Sequence, residues 1–564
     1  MRFAFSFLYL SKYRTIDKVS VSFDHRFEYD AAKRILARKD EDGGRLEGPH
    51  FYGAKVYSMS CLVGRNGEGK TGIIDFLRDG FVLLLEAAAG GTKPMEGGKI
   101  LLSEKDMRYY HLDENTEFLV VFRADGKDRI LTNIKDVAVR NSEPMYIPGP
   151  EAADLYYRVA YFSAMRFPDG VAKEELFRNR RERAYVERIL GKHNIDLSEE
   201  RFNEMRNTEW GDARNDEGGT GVLNWDLVMQ LALLHRWDNG KKEAFGVILD
   251  EVLGKNRSEP IAVCSSSLPG GEEMLPESSL KGVDLNRLEN ALLDPMAYMR
   301  PFSSGQYSRF SFLARLAFCL DGGESFFESA AGRELCRRLE IEGSLGRMFA
   351  YDPSETPVLL MDESDLFYHP EWQRGYVKDI LETVNAFAKE NVQIIFTTNS
   401  AFMLSDMLKE DVVVLSRDAY NYGLDDRTFG QNIHMLLARP FFMKSTIGAA
   451  AEETIRWLLG LLAPESKKNI PEEVRSRYSD RLLAYKQEAG KELSADEFVK
   501  RLIDSIGEEL IRHRLIFLYE EYMKKRRSEN DNLKNALDYL EPMKEENENI
   551  KKAIEEIKKA KGVT

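Results

Sequence analysis

Cysteine is scarce in this sequence of 564 residues. The four cysteines lie far apart, and none stands in a CxxC pair with another; they are Cys61, Cys264, Cys319 and Cys336. Structural zinc sites and disulfide frameworks need clustered or regularly spaced cysteines, so the sequence favours neither of them. This usage of cysteine is typical of a reducing cytoplasm, which is the location that we expect.

Long apolar runs and an excess of positive charge are also lacking. No apolar run approaches the roughly twenty residues of a membrane-spanning helix. The N-terminal MRFAFSFLYLSKYRTIDKVSVSFD has the alternating polarity of strands rather than the pattern of a signal peptide. The net charge of −14 argues against a surface coated for polyanions. We therefore expect no membrane partner, and we expect contacts with DNA or RNA only through local basic patches.

One glycine-rich stretch, CLVGRNGEGKTGIIDFL from Cys61, fits the pattern GxxxxGK[ST] of a phosphate-binding loop, or P-loop. An apolar, partly β-branched run precedes it and a run with helical spacing follows, which is the order strand, loop, helix that the motif needs. Backbone N–H groups of such a loop surround a β-phosphate, the lysine reaches the β- and γ-phosphates and the threonine hydroxyl ligates magnesium. The alternative is a glycine-rich turn that binds no phosphate. The predicted nucleotide-binding residues are Gly64, Asn66, Gly67, Gly69, Lys70 and Thr71.

A second stretch, PVLLMDESD, places Asp362 and Glu363 at the end of an apolar strand. Acidic residues in this position often only begin a loop. Beside a phosphate-binding loop, however, Asp362 is predicted to hold Mg²⁺ directly or through water, together with Thr71. Glu363 is predicted to orient and deprotonate the water that attacks the phosphate.

A third stretch, FSSGQYSRF, combines small polar residues and glycine at a predicted helix start. It is either a helix N-cap or a group that grips a γ-phosphate. The stretch resembles the LSGGQ signature of ABC-type ATPases. In that family the signature of one subunit closes on the nucleotide held by another, so the resemblance implies ATP as ligand and a head-to-tail homodimer or higher homo-oligomer. The residues concerned are Ser303, Ser304, Gly305 and Gln306.

Further motifs narrow the resemblance within the ABC class. MDESDLFYHPEWQR resembles the DExxxxxHP stretch, and FTTNSAFMLSD the switch segment, of RecF/SMC-like and OLD-like ATPases. In the switch segment Asn399 stands where the family has histidine; an amide can donate a hydrogen bond but cannot become charged, so slow ATP hydrolysis is expected. No convincing Q-loop glutamine follows DLYYRVAYFSAM.

The C-terminal region carries the most specific resemblance. TFGQNIHMLLARPFFMKSTIG and LIDSIGEELIRHRLIFLYEEY resemble the PtuA-type ATPase of Septu and of retron-associated anti-phage systems. This resemblance implies a separate effector subunit, an HNH-like nuclease or another toxin. The eight histidines of the present chain form no HNH pattern.

These motifs predict an α/β protein with an ABC-ATPase core, a mixed sheet and an insertion between the two halves of the core. We expect the N-terminal half at 1–165, an inserted helical subdomain at 166–300, the second half at 301–424 and a mostly helical region at 425–564. In the insertion, arginines between 178 and 188 are interspersed with glutamates, which favours a solvated helix face over a phosphate contact. Pro542 interrupts the tail and argues against a long coiled coil.

Several functions remain open on the sequence alone. The leading hypothesis is an ATP-driven sensor that controls a separate effector in anti-phage defence. A RecF/SMC-like DNA-repair or DNA-maintenance ATPase would share the core, although SMC proteins need long heptad arms that the insertion lacks. A transporter subunit would need a membrane partner and usually has a far shorter insertion. A self-contained nuclease would need a site of an unfamiliar kind within the insertion.

Overall fold

The computed structural model of the protein describes most of the predicted core and parts of the other regions. The described residues are 3–39, 51–81, 84, 116–134, 136–141, 145–146, 159–163, 225–238, 261–264, 272–275, 298–300, 302–321, 326, 329–330, 333, 358–415, 427–438, 445–463, 495–544 and 548–561. The arginines between 178 and 188, and the position expected for the Q-loop glutamine, lie outside these ranges. The chain forms two compact units, Met1–Met443 and Lys444–Thr564.

The strands of the described residues fall into four sheets, three of which are described below. In chain order they are β1 Phe3–Tyr13, β2 Ile16–Ser22, β3 Phe27–Asp30, β4 Ile35–Arg38, β5 Val56–Gly64, β6 Phe118–Ala124, β7 Lys127–Thr132, β8 Ala138–Arg140, β9 Met145–Tyr146, β10 Val159–Ser163, β11 Ile261–Cys264, β12 Glu272–Leu275, β13 Tyr298–Arg300, β14 Val358–Asp362, β15 Val392–Thr397 and β16 Val412–Leu415.

In the described residues the helices alternate with the later strands as far as β16, and only helices follow β16. In chain order they are α1 Lys70–Asp75, α2 Trp225–Asp238, α3 Ser304–Asp321, α4 Pro370–Phe387, α5 Ala401–Leu404, α6 Ile433–Ala438, α7 Ala449–Leu462, α8 Ala495–Asp504, α9 Glu509–Leu540 and α10 Glu548–Lys561. Within these described helices, none combines the length and the apolarity that crossing a lipid bilayer requires.

The central sheet has the order β10-β14-β15-β5-β16, and all neighbouring strands pair in parallel. Its inner strands are continuous apolar runs such as VLLMD and VQIIFT, and every residue of these two strands is buried. Burial on both faces is what such runs predict, because helices cover both sides of a parallel sheet. The strands predicted before the glycine-rich loop and in PVLLMDESD are thus confirmed, and the carboxyl ends of the strands of this sheet meet at one edge.

A second sheet, β2-β1-β6-β7-β9, packs beside the central one and contains the predicted N-terminal hairpin. Its pairing is antiparallel except between β7 and β9. The register of β1 against β6 shifts between Phe5 and Phe7. Fully buried Gln393 of β15 accepts from the Phe5 N–H at 2.8 Å and donates to the Phe5 carbonyl at 2.7 Å. The glutamine therefore satisfies backbone groups at the irregularity and ties the two sheets together.

Strand β10 lies at the edge of the central sheet, where it pairs in parallel with β14. Parallel partners are distant in sequence, here Ser163 and Asp362. The local pattern therefore says that a strand exists, but not which strand it joins.

The described part of residues 166–300 is not wholly helical. It contains α2, which packs against α3, and an antiparallel three-stranded sheet with the order β12-β11-β13. The predicted helical subdomain therefore includes a sheet that was not expected. Its strands have only three or four residues each, too short for an alternating pattern to stand out.

The described residues of the C-terminal unit form helices joined by turns. Helices α7, α8 and α9 bury a cluster around Leu458, Ile503 and Leu515. Helix α9 ends at Leu540, and a single 3₁₀ turn that contains Pro542 follows it. The predicted interruption at this proline is confirmed. Because α6 packs with α5 in the first unit, that unit extends beyond the boundary expected at 424/425.

Candidate nucleotide-binding site

The glycine-rich loop runs from the end of β5 to the start of α1. Gly69 precedes the helix with φ 100°, a conformation that L side chains rarely adopt. A Cβ atom at Gly69 would also lie 2.5 Å from Cγ1 of Ile16. Asn66 and Gly67 are exposed at the tip of the loop. Glycine is therefore required at position 69 both by the turn and by the close approach of β2.

Lys70 begins α1 and points back across the loop. Its Nζ donates to the Gly64 carbonyl oxygen at 2.9 Å and lies 3.9 Å from Oε1 of Glu363. The side chain is only 5% exposed. Burial lowers the pKa of the ammonium, and the charges of Glu363, Asp362 and Glu68 act in the opposite direction. A buried ammonium beside a glycine-rich loop is well suited to bind an anionic ligand.

Asp362 ends β14 and is the point where three segments of the core meet. Its Oδ1 accepts from Oγ1 of Thr71 at 3.2 Å and from Oγ1 of Thr397 at 2.6 Å. Thr71 belongs to α1, and Thr397 ends β15. The carboxyl ends of parallel strands lie at one edge of a sheet, so the topology itself brings these oxygens together. Thr397 was not among the predicted site residues.

Glu363 follows with an unusual backbone. Its φ of 45° lies in the left-handed region, which is uncommon for a residue other than glycine. The Glu363 N–H donates to Oγ1 of Thr397 at 3.0 Å, and this bond helps to hold the conformation. The carboxylate is 28% exposed, so it reaches the surface that the loop faces. Strain of this kind is typical of functional turns.

Asn399 meets Glu363 directly. Its Nδ2 donates to Oε1 of Glu363 at 2.7 Å. Glu363, the predicted base, is therefore hydrogen-bonded to Asn399, the residue at the switch position. The neighbours of Asn399 are buried: Thr398 is fully buried and Ser400 is 7% exposed. The exposed amide is thus carried by a firmly held backbone.

The signature stretch forms the N-terminus of α3. Ser303 Oγ accepts from the Gln306 N–H at 3.3 Å, and Gln306 Oε1 accepts from the Ser303 N–H at 2.9 Å. This reciprocal pair is a capping box, so the N-cap interpretation of the stretch is confirmed. Ser303 and Ser304 remain exposed. A Cβ atom at Gly305 would lie 3.0 Å from the Trp372 ring, which shows how closely α4 approaches.

Two residues near the acidic strand have other roles. His369 caps α4, its Nδ1 accepting from the Glu371 N–H at 3.3 Å. Asp365 is 4% exposed, and burial raises the pKa of its carboxyl to about 6. Asp365 was not predicted as a site residue. The only signal for it was a third acidic residue in MDESD, and its burial could not be read from the sequence.

The residues at this edge of the sheet fit a nucleoside triphosphate with Mg²⁺. Lys70 supplies a buried positive charge, while the Thr71 hydroxyl and the Asp362 carboxylate supply the hard oxygen ligands that Mg²⁺ prefers. The described residues contain no cluster of three or more His, Cys, Asp and Glu side chains that could hold a metal alone. A magnesium ion here would need phosphate oxygens and water to complete its shell.

Comparisons with known proteins give matches among solved structures. No protein-family model matches the sequence, and no curated protein matches it. Matching solved structures include an Smc head bound to the C-winged helix domain of ScpA: identity is 14%, 74% of this chain and 96% of that chain are covered, and the TM-score is 0.26. The Smc head with an extended coiled coil bound to the C-terminal domain of ScpA, from Pyrococcus furiosus, matches at 13% identity over 74% and 95%, with a TM-score of 0.26. The recombination mediator protein RecF of the RecFOR pathway matches at 13% identity over 71% and 94%, with a TM-score of 0.23. At such low TM-scores these matches carry no inference.

Proposed function

We propose that the protein binds ATP with Mg²⁺ and hydrolyses it, as an ABC-type ATPase. One observation carries this proposal: Lys70, Thr71, Asp362 and Glu363 converge at the carboxyl edge of the central sheet, although the first and last are almost three hundred residues apart in sequence. A glycine-rich turn without function would not need a buried lysine or two acids beside it.

Each side chain has a role that its position allows. Lys70 would bind the β- and γ-phosphates with its ammonium in place of the Gly64 carbonyl. Thr71 and Asp362 would hold Mg²⁺, which neutralises negative charge on the phosphates during transfer. Glu363 would orient a water molecule and accept its proton at the carboxylate. Asn399 holds that carboxylate through Nδ2 and can donate to an oxygen of the phosphate.

ATP binding is tested by Lys70→Ala. We expect this variant to lose ATP binding, measured by isothermal titration with Mg²⁺, while circular dichroism shows the wild-type fold. The matched control is Lys55→Ala, because Lys55 precedes the same strand and its Nζ donates to the carbonyl of Lys389. The control should bind ATP like the wild type. Undiminished binding by folded Lys70→Ala would contradict the assignment of the loop.

We propose further that two copies pair head to tail through the signature stretch. Exposure of Ser303 and Ser304 at the start of α3 supports this, since their hydroxyls are accessible to a second molecule. As the resemblance to the LSGGQ signature implies, these hydroxyls would contact a nucleotide that the other copy holds. ATP would therefore act as the link between the two chains.

The biological role that we propose is control of a separate effector, an HNH-like nuclease or another toxin, in anti-phage defence. The resemblance of the C-terminal stretches to PtuA-type ATPases supports it. The alternative is a RecF/SMC-like DNA-maintenance ATPase. Co-expression with the products of neighbouring genes, followed by purification and a cleavage assay, separates the two. An effector whose activity depends on Lys70 favours the first role, whereas DNA-stimulated hydrolysis without an effector favours the second.

A further inference from the structure

Thr397 ends β15 inside the candidate site, and the chemistry proposed above gives it no role. Its side chain is 2% exposed, and in the register of the two parallel strands it lies opposite Asp362 of β14. Valine has nearly the same shape and would fill this position without a polar atom. Burying a hydroxyl is costly unless its hydrogen-bonding capacity is used. The bonds that the Thr397 hydroxyl makes therefore indicate what it contributes.

The Thr397 hydroxyl bonds to both acidic residues of the site. Its Oγ1 donates to Oδ1 of Asp362 at 2.6 Å and accepts from the Glu363 N–H at 3.0 Å. A hydroxyl has one hydrogen and a carboxylate can only accept, so that hydrogen is directed at Asp362. A lone pair of Oγ1 then faces the Glu363 N–H. The first bond thus fixes the direction of the second.

The bond to Asp362 acts on the proposed Mg²⁺ ligand. Oδ1 of Asp362 also accepts from Oγ1 of Thr71 at 3.2 Å, so hydroxyls of α1 and β15 hold the same carboxylate oxygen. Hydrogen bonds of this kind orient a ligating group, and their loss typically costs about 10-fold to 10²-fold in metal affinity or activity. Loss of the Thr397 hydroxyl would free the Asp362 carboxylate to turn on the side of β15.

The bond to Glu363 acts on the proposed base through its backbone. The φ of 45° at Glu363 is uncommon for a residue other than glycine. The Glu363 N–H also points to the carbonyl of Thr397, but at 3.3 Å this contact is longer than the bond to the hydroxyl. Without the hydroxyl the backbone can relax, and the carboxylate then moves from Asn399, which donates to it at 2.7 Å. A displacement of about 1 Å can cost roughly 10²-fold in rate.

We propose that Thr397 is a positioning residue, whose hydroxyl aligns the Mg²⁺ ligand Asp362 and the base Glu363 with each other. The inference rests on the proposed ATPase function and deepens it. Removal of the hydroxyl weakens the contribution of Mg²⁺ to ATP binding, and it slows the chemical step even at saturating Mg²⁺ and ATP. ATP binding without Mg²⁺ stays unchanged, because Lys70 and the glycine-rich loop then hold the phosphates.

The test compares Thr397→Val with Thr397→Ser in the full chain. Isothermal titration measures the affinity for ATP with and without Mg²⁺. Thr397→Val should reduce the gain in affinity that Mg²⁺ gives by about 10-fold to 10²-fold and leave the affinity without Mg²⁺ within about 2-fold. It should lower the single-turnover rate at saturating Mg²⁺ by a similar factor. Thr397→Ser keeps the hydroxyl, so both quantities should stay within about 3-fold of the wild type.

Thr132→Val is the matched control for loss of a buried threonine hydroxyl. Oγ1 of Thr132 donates to the Phe118 carbonyl at 2.6 Å and accepts from the Ile134 N–H at 3.0 Å, in the second sheet and outside the candidate site. The two bonds have the same lengths as those of Thr397. The control should lower stability in urea and leave the Mg²⁺ effect and the hydrolysis rate unchanged.

A Glu363→Gln background separates the two routes by which the hydroxyl acts. Because the base is already lost, adding Thr397→Val should lower the remaining single-turnover rate at saturating Mg²⁺ by less than about 3-fold. The effect of Thr397→Val on the Mg²⁺ contribution to ATP binding should persist. The same proportional loss of rate in both backgrounds would overturn the route through Glu363.

Equal losses in Thr397→Ser and Thr397→Val, or in Thr132→Val and Thr397→Val, would overturn the positioning role while the ATPase assignment stands. Wild-type behaviour of Thr397→Val would overturn it as well. Absence of hydrolysis by the wild-type chain would overturn both proposals. Thr397→Ala, which also lacks the hydroxyl, keeps the test decisive if Thr397→Val does not fold.

Discussion

Replacing Asp365 with asparagine should make the protein more stable as the pH rises, relative to the wild type. Burial is the largest cause of the raised pKa of Asp365, about 6 against an ordinary 3.8, and the charge of Glu363 adds to it. The other titratable groups near Asp365 are Tyr368, which precedes α4, Tyr376 of α4 and Cys61 of β5. Burial raises the pKa of all three, so they remain neutral at the pH values considered.

The direction of this pH dependence follows from proton uptake by the folded chain. Between about pH 4 and 6 the folded chain keeps a proton on Asp365 that the unfolded chain has released, so the wild-type free energy of unfolding falls as pH rises. The full difference in pKa corresponds to about 3 kcal/mol. Roughly 1 kcal/mol of it develops between pH 5 and pH 7, where only the folded state titrates. Asparagine does not titrate, so the free energy of unfolding of Asp365→Asn does not show this decrease with rising pH.

The assay is urea unfolding of both chains at pH 5, 6, 7 and 8. The amide of asparagine brings a buried N–H₂ group that costs about 1–3 kcal/mol if it lacks an acceptor, but this cost does not depend on pH. The informative quantity is therefore the difference between variant and wild type as a function of pH. It should rise by about 1 kcal/mol from pH 5 to 7 and then level off. A constant difference, or one that falls with pH, would refute the argument that burial controls this carboxylate.

Three further variants probe the site. Glu363→Gln should keep the Mg²⁺ ligands Thr71 and Asp362 but remove the base, so that light scattering shows a dimer that persists with ATP; a monomer under these conditions would contradict the proposed pairing. Ser303→Arg should prevent ATP-dependent pairing and spare ATP binding, and undisturbed pairing would exclude the signature stretch from the interface. Asn399→His should accelerate single-turnover hydrolysis toward the 10²–10³-fold that one transition-state donor can contribute. An unchanged rate would mean that Asn399 does not set the speed.

The contiguous parts of the site could be predicted from sequence because their geometry is local. A strand, a glycine loop and a helix that begins with Lys70 and Thr71 form one short segment, so the pattern predicts both the fold and the chemistry there. The pair of Asp362 and Glu363 is equally local, since it ends an apolar strand. In both segments the predicted strand and the predicted turn lie where the structure has them.

The remaining parts depend on tertiary contacts. Thr397 contacts Asp362 only because β14 and β15 are neighbours, and nothing in VQIIFTTNS shows which threonine faces the acid. Asp365 is likewise buried by α4 and the switch segment, which the sequence does not reveal. The edge position of β10 has the same cause, because strand order in a parallel sheet is set by distant segments.

ATP hydrolysis is tested most directly by the release of phosphate from ATP by the purified chain under single-turnover conditions. We expect Mg²⁺-dependent hydrolysis by the wild type and at least about a 10²-fold slower rate for Glu363→Gln. Glu371→Gln is the matched control, because Glu371 is exposed and paired with Arg374 on α4. It should hydrolyse ATP like the wild type. Hydrolysis by Glu363→Gln at the wild-type rate, or no hydrolysis by the wild type, would contradict the central claim.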